Sequence, residues 1–372
     1  PSGVRKQMGL LYLLARIADT IADSNSGTTE ELLETLESYN DRAQGLSDSM
    51  PDMSDLAKYQ KNPAEARLLS RAEEPIQLLF ELPERDREII RTCLGIIVGG
   101  QSLDLQRFGA GKGDVITPLR NYDELDDYAY RVAGSVGEFW TSMSLEHQFK
   151  VNRETERELF EKGVRFGKAL QLINILRDIP EDLRLGRCYI PLDQLESHGL
   201  VPEDLKEPGN MEKFRELFDQ LLDRADEHLD SAIEYIEMLP YSQFRLRGAC
   251  MLPVLIGQRT ISLLREDNVL DGENRVKQED CSEDKLGPGI LTLTNKRLAF
   301  DKTQARIMDF TKRMGDTVLD VPLENVIKIW KEGLFIKKVC FTAKTDDGEQ
   351  TYKFGVFNTK SWVKTIEQTM NE

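Results

Sequence analysis

Two acidic side chains near the start of the chain have a spacing that suits shared chemistry. Asp19 and Asp23 are four residues apart in a segment whose apolar residues recur with helical spacing. On a helix their side chains would therefore stand one turn apart on the same face. Two carboxylates in that position repel each other by roughly 0.2–0.5 kcal/mol unless a cation lies between them. Taken alone, this spacing is more typical of an exposed acidic pair on a surface helix, and a cation site is the alternative.

A second acidic stripe lies in a strongly apolar segment. Asn174, Asp178 and Asp182 are again four residues apart, Glu181 lies beside them, and residues 170–176 are mostly apolar. Surface helices rarely surround carboxylates with so much apolar side chain, so we expect these acids to line a cavity between helices. Burying a carboxylate without a partner costs on the order of several kcal/mol, because the charge loses its hydration. Mg²⁺ would compensate because it prefers oxygen ligands.

The two acidic groups together indicate chemistry on a diphosphate. A diphosphate departs only when its developing charge is neutralised, and two carboxylate clusters could hold several Mg²⁺ ions around it. Arg16 and Arg177 stand beside the acids and suit phosphate oxygens. The carbocation left behind needs an apolar, water-free cavity, which helical walls would provide.

Composition and charge exclude other classes of protein. Of the formal net charge of −16, residues 285–372 contribute +4 (15 Lys and Arg against 11 Asp and Glu), which leaves −20 for residues 1–284. The negative charge of residues 1–284 disfavours nucleic-acid binding by that part of the chain. The five cysteines are scattered without a C-x-x-C pair, and only three histidines occur, which argues against a disulfide framework and a zinc site. With no bilayer-length apolar run and no signal-peptide pattern, the sequence predicts a cytoplasmic protein, with peripheral attachment to the cytoplasmic membrane left open.

Hydrophobic periodicity divides the chain into a helical part and a strand-rich part. From Arg5 to about Glu266 apolar residues recur three and four apart, as helices require. Residues 268–284 are mostly polar and predict a linker. After it the period becomes two, at 290–294, 297–300, 326–330, 334–343 and 350–357, and a helix is predicted over 359–370. We therefore expect a catalytic domain over 1–267, a linker over 268–284 and a small α+β domain over 285–372.

Three segments of the helical part resemble signatures of the squalene and phytoene synthase family. Tyr128–Glu138 is similar to the first signature, Gly167–Pro191 resembles the second, and the Asp19/Asp23 pair resembles the first aspartate motif. The resemblance covers roughly residues 5–265 and implies a mainly α, all-helical isoprenoid synthase fold that encloses a central cavity. The family has a further helix with a Ser-Phe signature upstream, and this helix is expected to be missing from the chain as given.

The resemblance also implies roles for individual residues. The implied Mg²⁺ ligands are Asp19, Asp23, Asn174, Asp178 and Asp182. The implied substrate-binding residues are Tyr12, Arg16, Gln171, Asn174, Arg177, Arg184 and Arg187. Tyr128 matches a tyrosine proposed to act in proton transfer, and a packed aromatic with a satisfied hydroxyl is the alternative. Gly134 and Gly137 either let helices approach closely or admit a bulky chain.

The strand-rich part carries a second resemblance. Gly289–Phe300 is similar to the opening hairpin of GRAM and other pleckstrin-homology-like (PH-like) domains, and residues 321–326 and Trp362 fit that pattern. Such domains bind lipids or proteins. The net charge of +4 leads us to expect weak attachment of residues 285–372 to an anionic membrane surface. The candidate basic residues are Lys296, Arg297, Lys337 and Lys338. Docking on the acidic catalytic domain and a purely structural role are the alternatives.

The resemblance implies a prenyltransferase that joins two prenyl diphosphates head to head through a cyclopropyl diphosphate. We expect farnesyl diphosphate as the donor and a squalene-type hydrocarbon as the product, because Ala249–Gly257 looks like the late proline-containing helix of squalene synthases. NADPH would then be a second cofactor beside Mg²⁺. One alternative is phytoene synthase chemistry on geranylgeranyl diphosphate. Another is a non-catalytic lipid-binding or assembly protein with the same fold.

Overall fold

The computed structural model describes residues 2–24, 26–60, 62–109, 115–272, 275–304, 313–333, 337–345, 348–356 and 358–370. The chain divides into two compact units, Pro1–Asp271 and Gly272–Glu372. The first three residues of the strand predicted at 334–343 and the last residue of the strand predicted at 350–357 lie outside the described residues. Within the described residues, no helix is both long enough and apolar enough to cross a bilayer.

The first unit is helical throughout, as the 3.6-residue period predicts. Its helices are α1 (Arg5–Ala22), α2 (Thr29–Gln44), α3 (Ser54–Tyr59), α4 (Pro63–Ser70), α5 (Glu73–Phe80), α6 (Glu84–Phe108), α7 (Tyr122–Ala129), α8 (Ser135–His147), α9 (Arg153–Arg177), α10 (Ile179–Arg184), α11 (Leu192–Ser197), α12 (Met211–Met238) and α13 (Phe244–Glu266). A π-helical turn, Tyr130–Gly134, joins α7 to α8. Two short strands, β1 (Thr117–Pro118) and β2 (Arg187–Cys188), pair in parallel.

Local sequence signals explain where α2 begins and ends. The Thr28 hydroxyl accepts a hydrogen bond from the Glu31 amide at 3.2 Å, and the Glu31 carboxylate accepts one from the Thr28 amide at 2.7 Å. This capping box satisfies two backbone donors that a helix start leaves unpaired, and it confirms the predicted start. Gly45 ends the helix at φ +79°, a conformation that glycine adopts without a steric penalty.

Apolar stripes on the long helices form the core of the first unit. On α1 the side chains of Leu14, Ile17 and Ile21 are fully buried, and each contributes roughly 1.5–3 kcal/mol to stability through burial. The predicted packing face of α1 is thereby confirmed. Because this stripe is fixed against the core, Asp19 and Asp23 are held on the other side of the helix.

Glycines allow two helices to cross very closely next to the π-helical turn. A Cβ atom on Gly137 of α8 would overlap the carbonyl carbon and oxygen of Gly163 on α9, and a Cβ on Gly167 would overlap the carbonyl of Ala133. Close helix packing therefore accounts for Gly137, one of the two explanations that the sequence left open. The crossing sets the separation of α8 and α9, and with it the width of the space between them.

The described residues of the second unit form a seven-stranded antiparallel sheet with one α-helix. Its strands are β3 (Arg275–Glu283), β4 (Gly287–Thr294), β5 (Arg297–Gln304), β6 (Arg313–Pro322), β7 (Val326–Glu332), β8 (Lys338–Thr345) and β9 (Gly348–Gly355), in the spatial order β6-β5-β4-β3-β9-β8-β7. The helix is α14 (Thr359–Thr369), as predicted. The side chains of Phe300, Phe341, Phe354 and Trp362 are completely buried in its core.

The prediction of a linker over 268–284 is wrong for most of that segment. Residues 275–283 form β3, which pairs with β4 from Arg275–Thr294 to Glu283–Gly287 and also contacts β9. Residues 275–283 are mostly polar and contain only Val276 and Cys281 as apolar residues, so composition alone favours a linker. Its strand conformation comes from backbone hydrogen bonds to partners distant in sequence, which side-chain polarity does not report.

Candidate active site

A cavity of about 210 Å³ lies between α1, α6, α7, α9 and α10; we call it the acid-lined cavity. It brings together most of the predicted site residues: Asp19, Asp23, Tyr128, Gln171, Asn174, Asp178, Asp182 and Arg187. The two acidic groups are more than 150 residues apart in the sequence, and helix packing places them on one cavity. The prediction that the second stripe lines a space between helices agrees with this arrangement.

The Asp19–Asp23 pair is held by basic and amide side chains. Arg16 donates to Oδ2 of Asp19, and Gln101 Nε2 donates to its Oδ1 at 3.3 Å. Arg187 Nη2 donates to Oδ1 of Asp23 at 3.2 Å. Burial and the nearby charge of Asp23 raise the pKa of Asp19, and the Arg16 guanidinium opposes that shift. The predicted repulsion between the two carboxylates is therefore present in the folded protein.

The second stripe does not lie on one continuous helix. Helix α9 ends at Arg177, Asp178 is the capping residue, and α10 begins at Ile179 with Pro180 in its first turn. Proline is tolerated in a first helical turn because its missing N–H has no helical partner there. Backbone hydrogen bonds from Asp178 to Asn174 (2.9 Å) and from Asp182 to Asp178 (3.0 Å) carry the four-residue register across the break. All three side chains consequently still reach the cavity.

The charges of this stripe are only partly balanced. Arg177 Nε and Nη2 donate to the two carboxylate oxygens of Asp178 at 2.7 Å each. Burial and the like charge of Asp178 raise the pKa of Asp182 to about 7, while Arg187 opposes the shift. A carboxyl with a pKa near neutrality indicates a site that would gain free energy from an added positive charge.

Helix α6 adds polar side chains that the sequence reasoning missed. Asp104 Oδ2 accepts a hydrogen bond from the Tyr189 hydroxyl at 2.9 Å, and burial raises the pKa of Asp104 to about 6. Gln101 stands one turn earlier on the same helix and also lines the cavity. Polar residues three apart, directly after the stretch 93–100 that has no charged or amide side chain, are the signal that could have found them. Tyr189 lies inside the second family signature but was given no role.

Tyr128 is packed and protonated. Its ring stacks on Tyr189, with centroids 4.6 Å apart and an interplanar angle of 22°. Burial raises the pKa of the Tyr128 hydroxyl, and the negative charge of Asp104 adds to the shift. The hydroxyl therefore stays neutral at physiological pH and can donate a hydrogen bond into the cavity. The proton-transfer role and the packing role of Tyr128 are both compatible with this geometry, since the ring packs on Tyr189 while the residue lines the cavity.

The remaining predicted substrate-binding residues lie outside the acid-lined cavity. Arg16 is held between Asp19 and Glu65 of α4. Arg177 is directed outward, with 52% of its side chain exposed. Arg184 lines an adjoining groove of about 690 Å³ that shares Asp178 and Asp182 with the cavity.

Tyr12 does not lie where it was expected. The family resemblance implies that Tyr12, one helical turn before Arg16, faces the cavity, but 67% of the residue is exposed. It is also not part of the cavity lining. The four-residue spacing puts Tyr12 on the same face as Arg16 but about 6 Å further along the helix, which is beyond the cavity wall.

The donor chemistry of the acid-lined cavity fits Mg²⁺, although the protein alone does not form a compact metal centre. Within the described ranges, no three His, Cys, Asp or Glu side chains converge closely enough to hold a metal ion. The buried Oδ1 of Asp104 and Oε1 of Gln101 nevertheless have no hydrogen-bond partner. Mg²⁺ in enzymes is commonly bound by one or two carboxylates together with substrate phosphates. Asp19, Asp23, Asp178 and Asp182 suit that shared mode of binding.

A second, apolar cavity of about 260 Å³ adjoins the first. Its walls include Val136 and Trp140 of α8, Phe166 and Leu170 of α9, Tyr235 of α12, and Ala249, Cys250 and Pro253 of α13. Leu170 lines the apolar cavity and Gln171 lines the acid-lined cavity. Residues 163–170 of α9 therefore contribute to the apolar cavity, and residues 171–175 contribute to the acid-lined one.

The described residues of the first unit thus form a helical bundle that contains an acid-lined cavity and an apolar cavity. The chain belongs to the squalene/phytoene synthase family, because the family model for squalene/phytoene synthase matches residues 1–278. The family prediction is thereby confirmed. The prediction of a PH-like second unit stays a prediction.

Relatives and solved structures agree with the family. A bifunctional lycopene cyclase/phytoene synthase from Aspergillus oryzae is 32% identical over 238 residues, 62% of this chain and 38% of that protein. A 15-cis-phytoene synthase from Synechocystis is 28% identical over 244 residues, 64% of this chain and 63% of that protein. The chain therefore spans less than two thirds of the length of either relative.

Solved structures show the fold. The complex of TcSQS with the ligand E5700 has a TM-score of 0.60 at 19% identity and covers 73% of this chain and 74% of that chain. The squalene synthase HpnC from Alicyclobacillus acidocaldarius has a TM-score of 0.51 at 20% identity and covers 72% of this chain and 85% of that chain. The first unit therefore has the isoprenoid synthase fold that the sequence predicts.

Proposed function

We propose that the first unit catalyses Mg²⁺-dependent head-to-head condensation of two prenyl diphosphates. The observation that carries this proposal is that two acidic groups from distant helices line one cavity, directly beside an apolar one. The acid-lined cavity would hold the diphosphates, and the apolar cavity would hold the prenyl chains. The intact acids Asp19, Asp23, Asp178 and Asp182 favour catalysis over a non-catalytic lipid-binding role.

Some side chains would bind the charged diphosphate, and others would exclude water from the carbocation. Bound Mg²⁺ would neutralise charge on the leaving diphosphate. Arg16 and Arg187 would exchange their present carboxylate partners for phosphate oxygens, since guanidinium groups bind phosphate well. The walls around Trp140 and Phe166 would keep water from the carbocation. In the first step the C–O bond of one prenyl diphosphate would break and its diphosphate would leave with the electron pair. The π electrons of a C=C bond in the second prenyl diphosphate and the electron pair of a C–H bond would form the two new C–C bonds of the cyclopropane ring, with release of one proton.

The phenolic groups are placed to influence that proton. Tyr128 stacks on Tyr189, which donates a hydrogen bond to Asp104 at 2.9 Å. Because burial and the surrounding negative charge keep Tyr128 protonated, its hydroxyl would stabilise the departing diphosphate by donating a hydrogen bond to it. The released diphosphate is the strongest base in such a site and would accept the proton lost from the cyclopropane-forming carbon.

Two donor lengths are candidates. The sequence predicts farnesyl diphosphate, and Ala249, Cys250 and Pro253 from the segment behind that prediction do line the apolar cavity. The names of the relatives from Aspergillus oryzae and Synechocystis favour phytoene synthesis instead, with geranylgeranyl diphosphate as the donor. We retain the squalene-type product as our proposal and phytoene as the second candidate.

One incubation experiment tests the activity and the product together. The chain is supplied with Mg²⁺ and either farnesyl or geranylgeranyl diphosphate, with and without NADPH. Pyrophosphate release and extracted hydrocarbons are then measured. Release from farnesyl diphosphate, with squalene formed when NADPH is present, supports the proposal. Phytoene as the dominant product would replace the squalene assignment, and no pyrophosphate release from either donor would refute the enzymatic proposal.

For the second unit we propose a PH-like domain that attaches weakly to anionic lipid. The antiparallel strand order and the terminal helix support the fold assignment. Among the basic candidates, Arg297 pairs with Asp320 and Lys338 pairs with Asp284. Attachment would therefore rest more on exposed lysines such as Lys337, each worth about 1 kcal/mol near an anionic surface.

Edge strand β7 offers a further basic surface for such attachment. Lys328 and Lys331 are exposed, Lys328 Nζ lies 5.4 Å from the centre of the Trp330 ring, and Ile327 is 46% exposed. The full chain should sediment with vesicles containing phosphatidylserine at low salt and be released as salt rises. Replacing Lys328 and Lys331 by Glu should abolish sedimentation. If the unchanged chain stays in the supernatant at low salt, the attachment proposal is wrong.

A further inference from the structure

Gln101 is a polar side chain of the acid-lined cavity to which the sequence assigned no role. It lies on α6, between the first acidic group on α1 and Asp104 one turn along its own helix. Its Nε2 is 3.3 Å from Asp19 Oδ1. Its Oε1 is buried and has no hydrogen-bond partner.

The chemistry of the pair determines which way the Gln101 amide faces. An ionised carboxylate can only accept hydrogen bonds, so the amide nitrogen must face Asp19. The amide oxygen is therefore the atom left without a donor. Buried acceptors without partners are rare in folded proteins because each costs free energy. An oxygen of this kind, at the edge of a cavity that is otherwise lined by carboxylates, is suited to a cation or to a water bound to one.

A neutral oxygen has an advantage over another acid at this position. The cavity lining already includes Asp19, Asp23, Asp104, Asp178 and Asp182, with Arg187 as its basic member. A sixth carboxylate beside Asp19 would add repulsion to a crowded site. An amide supplies a ligand oxygen without that charge, and its N–H orients Asp19 at the same time.

Resting on the proposed function, we propose that Gln101 is a positioning and ligand residue for the Mg²⁺–diphosphate complex. Its N–H holds Asp19, and its Oε1 contacts the cation directly or through a bound water. The residue therefore contributes to cation affinity separately from the carboxylates, and helix α6 is a third source of oxygen ligands beside α1 and the α9–α10 junction.

The test measures binding of Mg²⁺ with inorganic pyrophosphate by isothermal titration calorimetry, using the full chain. Gln101→Leu removes both the N–H and the oxygen, and Gln101→Glu keeps an oxygen but loses the N–H. Gln44→Leu is the matched control, since Gln44 is a half-buried amide on α2 that donates to Asn40 and to the Arg91 carbonyl, away from the cavity. Thermal unfolding of each variant without ligand reports whether the fold is intact.

The proposal predicts that Gln101→Leu weakens binding about tenfold, as expected for loss of one contact with a charged partner. Gln101→Glu should stay within about threefold of the unchanged chain, with a lower melting temperature that Mg²⁺ and pyrophosphate restore. Gln44→Leu should bind normally. Equal weakening in both Gln101 variants would mean that only the N–H to Asp19 matters, and normal binding by Gln101→Leu would likewise overturn the ligand role. If the unchanged chain binds no Mg²⁺–pyrophosphate, the proposed function fails first.

Discussion

Replacing Asp178 by Asn tests the acid-lined cavity most directly. The substitution keeps the shape of the side chain and removes one negative charge from the site where Mg²⁺ and the diphosphate would meet. Removing one electrostatic contact to a developing charge typically costs about 2.7–4 kcal/mol in the transition state, or 10²–10³-fold in turnover. We therefore expect a loss of turnover of about a hundredfold or more at saturating substrate and Mg²⁺.

Folding should survive the same change. The Asp178 carboxylate is bound by Arg177 in a partly exposed pair, and such pairs contribute only about 0–1 kcal/mol. The loss is offset because Asp178 also repels Asp182 and raises its pKa. The melting temperature without ligand should consequently change little. A change of many degrees would show that Asp178 supports the fold rather than the reaction.

The assay is pyrophosphate release under single-donor conditions across a Mg²⁺ titration. Asp223→Asn is a suitable control, because Asp223 pairs with Arg265 at 2.6 Å on the surface of α12 and lies outside both cavities. It should retain full turnover. Near-normal turnover of Asp178→Asn at saturating Mg²⁺ would refute the assignment of this acid to the leaving-group site.

Three other predictions follow from the packing and charges of the first unit. Tyr128→Phe keeps the stacking on Tyr189 and loses only the hydroxyl, so turnover should fall about a hundredfold with little change in KM; unchanged turnover would show a packing role alone. Gly137→Ala should lower the free energy of unfolding by more than about 2 kcal/mol in urea titrations, because its Cβ would overlap the Gly163 backbone, and an unchanged midpoint would mean that the helices separate easily. Burial lowers the pKa of His228 to about 4. Between about pH 6.5 and pH 4 the unfolded chain therefore binds more protons at this histidine than the folded chain does. The free energy of unfolding should decline as pH falls through that range, and His228→Gln should flatten the same part of a plot of melting temperature against pH.

The helical part of the fold was predictable because its signals are local. Apolar residues three and four apart locate the long helices, and Thr28 with Glu31 locates a helix start. The strand β3 was not predictable in the same way. Its polar sequence lacks the alternation of a half-buried strand, and its conformation depends on pairing with β4 and β9.

The acidic groups of the site were also visible in the sequence. Carboxylates four residues apart in apolar surroundings predict a shared, partly buried face, and the structure places both groups on one cavity. Tyr12 shows the limit of this reasoning. Periodicity gives the face of a helix on which a residue lies, but it does not give the position along the axis at which a cavity ends.

The sequence by itself determined the helices of the first unit, its family, and the acidic residues that line the cavity. The tertiary structure decided which other side chains join them. Gln101 and Asp104 reach Asp19 and Tyr189 across 82 and 85 residues of sequence. The physical reason is that the periodicity of a helix depends on residues three and four apart in the sequence. The packing of α1, α6 and α9 against one another depends instead on how closely their surfaces approach, as at the crossing of Gly137 and Gly163.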